Sequence, residues 1–219
     1  MSNSVILAIE TSTSHSSVCL SINGGVSHAP LDTPESQAAA LVPAIEGLLK
    51  HHHIWYGDIT HLVTTIGPGS FTGIRIGLSV ARTIAFCHPK VVVFPVTTLQ
   101  CLAAGYTGNA PTIHAVLRAG KGEVYYQPFS VSNTRRTPLS DIEIVKPDRL
   151  AALGPDAVII GNAQDLLPES IHPQCTTPQQ PQASDLILAL GLIPDSQDDG
   201  LRPLYIRPPD AKLPTKPYV

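Results

Sequence analysis

Short apolar runs separated by polar turns mark the first thirty residues of the chain. Residues 4–9 form an apolar run fit for a buried strand, and residues 17–22 alternate between apolar and polar positions with a period near two. Asn23-Gly24 favours the positive φ angles of a tight hairpin turn, and residues 26–29 are the predicted returning strand. The pattern therefore predicts three consecutive antiparallel strands.

Helical and strand patterns then alternate up to residue 105. Strands are predicted over residues 61–66 and 91–96, and helices over residues 35–51, 74–87 and 97–104. Thr33 is the predicted cap of the first helix, and Pro43 predicts a kink within it. The order β-β-β-α-β-α-β predicts an α/β fold, a mixed sheet with flanking helices. By analogy at the level of the fold, it is the half-domain order of ribonuclease-H-like and actin-like ATPase folds.

Beyond a boundary predicted at residues 106–111, the pattern recurs in weaker form. Strands are predicted over residues 112–117, 123–131 and 157–160, helices over residues 147–153 and 184–193, and a Pro- and Gln-rich loop over residues 168–181. The predicted domains are an N-terminal lobe (1–105), a reduced second lobe (106–195) and a Pro-rich extended tail (196–219). Prolines in the tail exclude a helix or a central strand there.

Composition narrows the classes of function. Charged residues make up only 14% of the 219 residues, against about 25% in an ordinary globular chain, which favours a surface partly covered by another molecule. The net charge is -3, and Arg135-Arg136 is the only adjacent basic pair, so any contact with nucleic acid is expected to run through a partner. The four cysteines are scattered without a CxxC pair. Neither a signal peptide nor a membrane span is predicted, and we expect a cytoplasmic protein.

The sequence GPGSFTGIRIG, residues 67–77, is the most distinctive motif. A P-loop is rejected, because Ile74-Arg75 stands where Lys and a hydroxyl residue are needed. A dinucleotide-binding site remains as a weaker alternative. It is weaker because such a site needs an acidic or basic residue near the end of the next strand, and residues 91–98 contain neither there. Ser70 lacks the GxSxG context of a nucleophile, because Pro68 replaces the first glycine. The remaining interpretation is a structural turn that packs the second helix on the sheet, with Gly67, Gly69, Ser70 and Gly73 shaping the loop.

Four blocks of the sequence resemble the TsaB (YeaZ) family in order and spacing. They are ILAIETSTSHSSVCL (6–20), GPGSFTGIRIGLSVARTIA (67–85), EVY (123–125) and PLYIRPPDAK (203–212). The resemblance implies an actin-like ATPase fold with a reduced second lobe. It also implies a non-catalytic accessory subunit that binds and activates the catalytic subunit TsaD in a heterodimer. TsaE joins the larger complex, and tRNA is reached indirectly, through TsaD; the product is threonylcarbamoyladenosine beside the anticodon of ANN-reading tRNAs.

TsaD is a paralogue, and the resemblance implies that this chain has lost its chemistry. The catalytic relative binds metal through two histidines four residues apart, a spacing that none of the nine histidines here shows. Glu10 stands where ATPases of this fold keep an Asp at the phosphate site. No catalytic, cofactor or metal residue is predicted. The alternative is a nucleotide-dependent enzyme, either an oxidoreductase or a glycoprotease-like peptidase.

Two positions depart from the family pattern. The family's Asp-Ala-Arg before EVY is replaced by Arg118-Ala119-Gly120, and its histidine in the first helix corresponds to Gln37. The first change puts a function of that motif in this chain in doubt.

The two long helices of the first lobe predict a docking face, because their apolar residues extend beyond one stripe. The candidate interface residues are Ala40, Leu41, Ala44, Ile45, Leu48, Arg75, Leu78, Ser79 and Arg82. We expect them to pair with TsaD, or with a second copy of this chain when TsaD is missing. The open alternative is burial under this protein's own second lobe.

Overall fold

The computed structural model describes residues 4–31, 37–133, 135–154, 156–176, 179–192 and 201–206. Within these ranges the strands are β1 (Val5–Glu10), β2 (Ser16–Ile22), β3 (Gly25–Leu31), β4 (His61–Gly67), β5 (Val92–Thr97), β6 (Thr112–Gly120), β7 (Glu123–Val131), β8 (Arg136–Pro138), β9 (Glu143–Val145) and β10 (Val158–Gly161). The α-helices are α1 (Gln37–His51), α2 (Phe71–Cys87), α3 (Thr98–Ala104) and α4 (Ala183–Leu192). The predicted cap Thr33, the predicted start of the first helix and most of the predicted tail lie outside the described residues.

Five strands of the first half form a mixed sheet in the order β3-β2-β1-β4-β5. The first three are antiparallel, with Asn23 and Gly24 at positive φ in the β2–β3 turn. β4 and β5 then add in parallel, through crossovers that contain α1 and α2. Pro30 and Pro95 lie in the two edge strands, where a missing N–H leaves the centre of the sheet intact.

The second half forms its own five-stranded sheet. The order is β10-β6-β7-β8, and β9 also pairs with β7. β10 is parallel to β6, and the remaining pairs are antiparallel. This sheet is therefore mixed as well.

Helices cover both faces of the first sheet. α1 and α2 pack on one face and bury Leu41, Ile45 and Ala81 against β1, β2 and β4. α4 packs on the opposite face, where Ala183 and Leu186 contact a cluster containing Ala8 and Val63. The division into lobes at residue 105 stays a prediction, since α4 follows the second sheet in sequence but packs on the first.

The predicted fold class is confirmed: α/β, with two mixed sheets and flanking helices. Several local predictions were wrong. α2 begins at Phe71 and not at Ile74, because Ser70 caps it. A 3₁₀ helix, Glu169–Gln174, lies inside the predicted loop. The helix predicted over residues 147–153 is a 3₁₀ helix, Pro147–Ala152, and β8 and β9 were not predicted.

Candidate functional site

The glycine-rich loop joins the end of β4 to the start of α2. The Ser70 hydroxyl accepts a hydrogen bond from the Gly73 N–H at 3.1 Å, so this side chain is the N-cap of α2. The Ser70 backbone N–H donates to the Ser12 carbonyl oxygen at 2.7 Å. The loop is thus tied to the segment that follows β1.

Close packing accounts for each glycine of the motif. A Cβ at Gly69 would overlap the Ser12 carbonyl oxygen, and one at Gly73 would overlap the Thr11 carbonyl oxygen. A Cβ at Gly77 would overlap the Thr11 hydroxyl, and one at Gly67 would lie 2.8 Å from the Leu204 carbonyl oxygen. This geometry fits the interpretation of the motif as a packing turn.

A polar cleft of about 330 Å³ opens between the loop and the second sheet. Its lining residues are Ser12, Thr13, Ser14, Gly69, Ser70, Leu117, Arg118, Asn162 and Gln180. Arg118 is the charged residue among them, and its guanidinium contacts both carboxylate oxygens of Asp165 at 2.7 Å. That ion pair holds the pKa of Asp165 below its usual range. The described residues of the lining include no histidine or carboxylate that could activate the Ser70 hydroxyl, which already caps α2.

Glu10 is fully buried and does not line this cleft. Its carboxylate accepts hydrogen bonds from the Ser12 N–H and the Ser12 hydroxyl, both at 2.6 Å. Burial raises the pKa of Glu10 to about 7, the Ser12 bonds lower it, and the nearby Asp185 adds to the rise. The Glu10 carboxyl group is therefore enclosed in the protein.

The two departures from the family pattern have defined contacts. The Arg118 guanidinium pairs with Asp165, as described above. The Arg118 backbone N–H donates to the Asn162 side-chain oxygen at 3.1 Å. The Gln37 side-chain amide donates to the Thr13 carbonyl oxygen at 3.0 Å. Gln37 thus holds the start of α1 against the β1–β2 connection.

Within the described ranges, no three His, Cys, Asp or Glu side chains converge as metal ligands would. Of the three consecutive histidines, His52 lies 2.7 Å from the Ser27 hydroxyl, while His51 and His53 are exposed. Among the helices that the structure describes, none combines the length and apolar character needed to cross a bilayer.

The structure divides the nine predicted interface residues into two groups. Leu41, Ile45, Leu48 and Leu78 are buried in the chain's own core, so their side chains are not at the surface, and this part of the prediction is corrected. Ala40 and Ala44 are partly buried, and Arg75, Ser79 and Arg82 are exposed. Sequence periodicity could have separated the groups, because the buried α1 positions 41, 45, 48 and 49 recur at helical spacing.

An apolar groove of about 390 Å³ runs between α1 and α2 on this exposed side. It is lined by Val42, Tyr56, Ser79, Val80, Thr83, Ile84, Cys87 and His88. Phe86 is 88% exposed and Trp55 is 80% exposed elsewhere on the surface of the same lobe. Of these residues the sequence prediction included Ser79 alone, because part of the groove is formed by residues outside the two helices, Tyr56 and His88, which helical periodicity does not reach.

Comparisons with known proteins agree with one another. A family model described as "TsaD: tRNA N6-adenosine threonylcarbamoyltransferase" matches residues 8–185. The protein named "tRNA threonylcarbamoyladenosine biosynthesis protein TsaB" from Escherichia coli is 30% identical over 172 residues, which cover 75% of this chain and 74% of that protein. The protein of the same name from Haemophilus influenzae is 30% identical over 128 residues, 58% of this chain and about half (54%) of that protein's length.

A solved structure adds agreement at the level of the fold. YeaZ from Pseudomonas aeruginosa superposes with a TM-score of 0.79 and covers 93% of this chain and 100% of that chain, at 24% identity. The family model extends through both sheets and into α4, and the E. coli relative matches over three quarters of the chain. The chain belongs to the TsaB (YeaZ) family, within the wider group that the TsaD family model describes.

Proposed function

We propose that this chain is a non-catalytic subunit in the threonylcarbamoyladenosine modification of tRNA, and that it binds and activates the catalytic subunit TsaD. The proposal transfers to this chain the process named in its TsaB relatives. It places the contact with TsaD on the exposed side of α1 and α2. The modified base is then the adenosine beside the anticodon of ANN-reading tRNAs, and this chain reaches tRNA only through TsaD.

The apolar groove between α1 and α2 is the observation that carries the proposal. Val42, Val80 and Ile84 give it an apolar floor, and no acidic residue occurs in α2. Burial of such a surface by a partner is favourable by about 25 cal/mol per Å² of apolar area. In the proposed complex, α1 and α2 pack against the equivalent two helices of TsaD. Each of the two like-folded subunits then contributes two helices to one bundle.

The arrangement of polar groups supports a role without chemistry of its own. The Ser70 hydroxyl caps α2, Glu10 is enclosed, and Arg118 is paired with Asp165. These three groups are thus engaged within the fold. TsaE, in this proposal, belongs to the larger complex.

Ser79→Glu provides the sharpest test of the docking face. Ser79 is exposed beside the groove, and its hydroxyl donates to the Arg75 carbonyl oxygen at 2.7 Å. A charged side chain there should abolish co-purification with TsaD and reduce threonylcarbamoyladenosine formation in a reconstituted reaction. Thermal unfolding should stay within about 0.5 kcal/mol of wild type, as for most surface substitutions.

Ser140→Glu is the matched control. Ser140 is also exposed, and its hydroxyl also donates to a backbone carbonyl, that of Asp141 at 3.1 Å, but it precedes β9 in the second sheet. It should bind TsaD like wild type. If Ser79→Glu binds as tightly as Ser140→Glu, the docking face lies elsewhere. Saturable heat on titration with ATP or NAD(P) would instead favour the alternative, a nucleotide-dependent enzyme.

A further inference from the structure

The described part of the C-terminal segment, residues 201–206, lies along the exposed side of α2; we call it the strap. The Leu204 N–H donates to the Ile66 carbonyl oxygen at 2.7 Å, beside Gly67. The Arg82 guanidinium donates to the Leu201 carbonyl oxygen, and the Arg75 Nε–H donates to the Tyr205 hydroxyl at 3.0 Å. The strap therefore runs antiparallel to α2 and is fastened to it at two points.

Helical and extended spacing agree with this geometry. Arg75 and Arg82 are seven residues apart, or roughly 10 Å along a helix. Leu201 and Tyr205 are four residues apart, or roughly 13 Å along an extended chain. The strap can thus follow the helix surface from one arginine to the other without a loop.

Three side chains form an ordered cluster where the strap meets the start of α2. The Tyr205 ring stacks on the Phe71 ring with centroids 5.0 Å apart, and the Arg75 guanidinium carbon lies 3.7 Å from the Phe71 centroid. Phe71 is 46% exposed and Tyr205 is 41% exposed. We call this cluster, Phe71, Arg75 and Tyr205, the ridge.

The ridge holds a cation in a fixed position at the surface. Arg75 is restrained by the ring below it and by the Tyr205 hydroxyl, so little of its side-chain entropy remains to be lost on binding. No carboxylate of the described residues forms an ion pair with it, and α2 contains no Asp or Glu. Among the residues that the structure describes, no hydrogen-bond partner contacts the two terminal nitrogens of Arg75. Such a planar guanidinium is suited to a bidentate contact with a carboxylate.

We infer that the strap belongs to the docking surface and that the ridge binds a carboxylate side chain on the partner protein. The inference rests on the proposed function, since the ridge lies on α2, the helix that also lines the groove. Charge complementarity indicates which group binds there. The positively charged Arg75 guanidinium, stacked on the Phe71 ring, is complementary to the carboxylate of an Asp or Glu at a protein interface. A nucleic-acid backbone is disfavoured, because phosphate binding needs several clustered cations and the chain has a net charge of -3.

The test measures the affinity of the full-length chain for purified TsaD at low and high salt. Arg75→Gln removes the charge and should weaken binding about tenfold at low salt, as expected for loss of a charge-assisted contact. It should also reduce the salt dependence of the dissociation constant. Tyr205→Phe keeps the stacked ring but removes the hydroxyl that accepts the Arg75 hydrogen bond. It should weaken binding by roughly threefold, because the guanidinium keeps its charge and loses only part of its fixed orientation.

Lys146→Gln is the charge-matched control, an exposed cation next to β9 in the second sheet. If Ser79→Glu abolishes binding while Arg75→Gln matches Lys146→Gln in affinity and salt dependence, the ridge inference fails and the proposed function stands. If the wild-type chain does not bind TsaD, the proposed function itself fails. An effect of Arg75→Gln seen only when tRNA is present would assign the ridge to phosphate and overturn the carboxylate assignment. If Arg75→Gln abolishes self-association of the chain but leaves TsaD binding unchanged, the ridge binds a second copy of this chain. That result would also overturn the inference.

Discussion

Gly73 and Gly47 both lie inside α-helices, but their surroundings differ. A Cβ at Gly73 would overlap the Thr11 carbonyl oxygen and lie 3.2 Å from the Gln37 side-chain oxygen. A Cβ at Gly47 would have no atom within 4 Å outside its own helix backbone. One glycine is needed for close packing, and the other only adds flexibility to the unfolded chain.

We expect Gly73→Ala to destabilise the protein by about 3 kcal/mol, since a methyl group must push the backbone of the β1–β2 connection away from α2. Urea denaturation would measure the change. Gly47→Ala, its control, should stabilise the protein by roughly 0.5–1 kcal/mol, because alanine favours an exposed helix interior. Equal effects of the two substitutions would contradict the packing interpretation of the motif.

Contacts distant in sequence limited the prediction at this scale. The motif was located from its glycines alone, and a packing turn was one of the interpretations offered. The neighbours that require those glycines, Thr11, Ser12 and Leu204, lie more than fifty residues away in the sequence. Local pattern carries no information about such neighbours, so the contacts of the loop could only come from the structure.

At the scale of the elements, α3 is seven residues long and depends on its cap. The Thr97 hydroxyl accepts from the Gln100 N–H at 3.1 Å, and the Gln100 side-chain oxygen accepts from the Thr97 N–H at 2.9 Å. This capping box satisfies two N–H groups that a short helix cannot satisfy internally. The helix contacts both β4 of the first sheet and β6 of the second, so its start sets its position between them.

Thr97→Ala should therefore cost about 1 kcal/mol of stability, the usual cost of losing a cap. The midpoint of chemical denaturation, read at constant m value, is the measurement. Thr97→Ser keeps the hydroxyl and should recover most of the loss. A serine variant as unstable as the alanine variant would show that the methyl group, and not the cap, is what matters at this position.

Length decided which elements could be predicted. The strands and helices of the first lobe gave enough residues to show a period, and their order was sufficient for the fold class. β8 and β9 have three residues each, too few for a period, and the 3₁₀ helix Glu169–Gln174 contains Pro173, which favoured a loop. Segments this short become strands because they pair with a neighbouring strand, and a single sequence does not show which segments pair.

At the scale of the whole molecule, the first sheet is enclosed between α1 and α2 on one face and α4 on the other. Two carboxyl groups pack against it, Glu10 fully buried and Asp185 half-buried. Glu10 ends β1, and Asp185 lies in the first turn of α4, where its carboxylate packs close to Gly105. Burial raises the pKa of Asp185 to about 6 and that of Glu10 to about 7. Cys101 is also buried, and its pKa is raised chiefly by that burial and further by the Glu10 and Asp185 carboxylates.

These raised pKa values fix the sign of a pH dependence. A carboxyl whose pKa is higher in the folded than in the unfolded state binds more protons when folded, so the free energy of unfolding falls as pH rises between the two values. For Glu10 the interval runs from 4.5 to about 7, which corresponds to roughly 3 kcal/mol. For Asp185 it runs from 3.8 to about 6. Burial lowers the pKa of His114, and this shift makes the free energy of unfolding rise with pH below the ordinary pKa of histidine. The contribution of Glu10 is therefore isolated by comparing variants.

Glu10→Gln should therefore flatten the fall in stability between pH 5 and pH 8 and leave the protein more stable than wild type at pH 8. The Gln side-chain oxygen can still accept from the Ser12 N–H, so the fold of the β1–β2 connection is retained. Chemical denaturation at several pH values measures the effect, and Glu46→Gln, on the exposed side of α1, controls for the loss of one charge. A Glu10→Gln variant that follows the wild-type profile through pH 8 would mean that this carboxyl ionises as freely in the folded as in the unfolded chain. A flattened profile would instead show that the first sheet tolerates a buried acid at the end of β1 because the acid can remain protonated there.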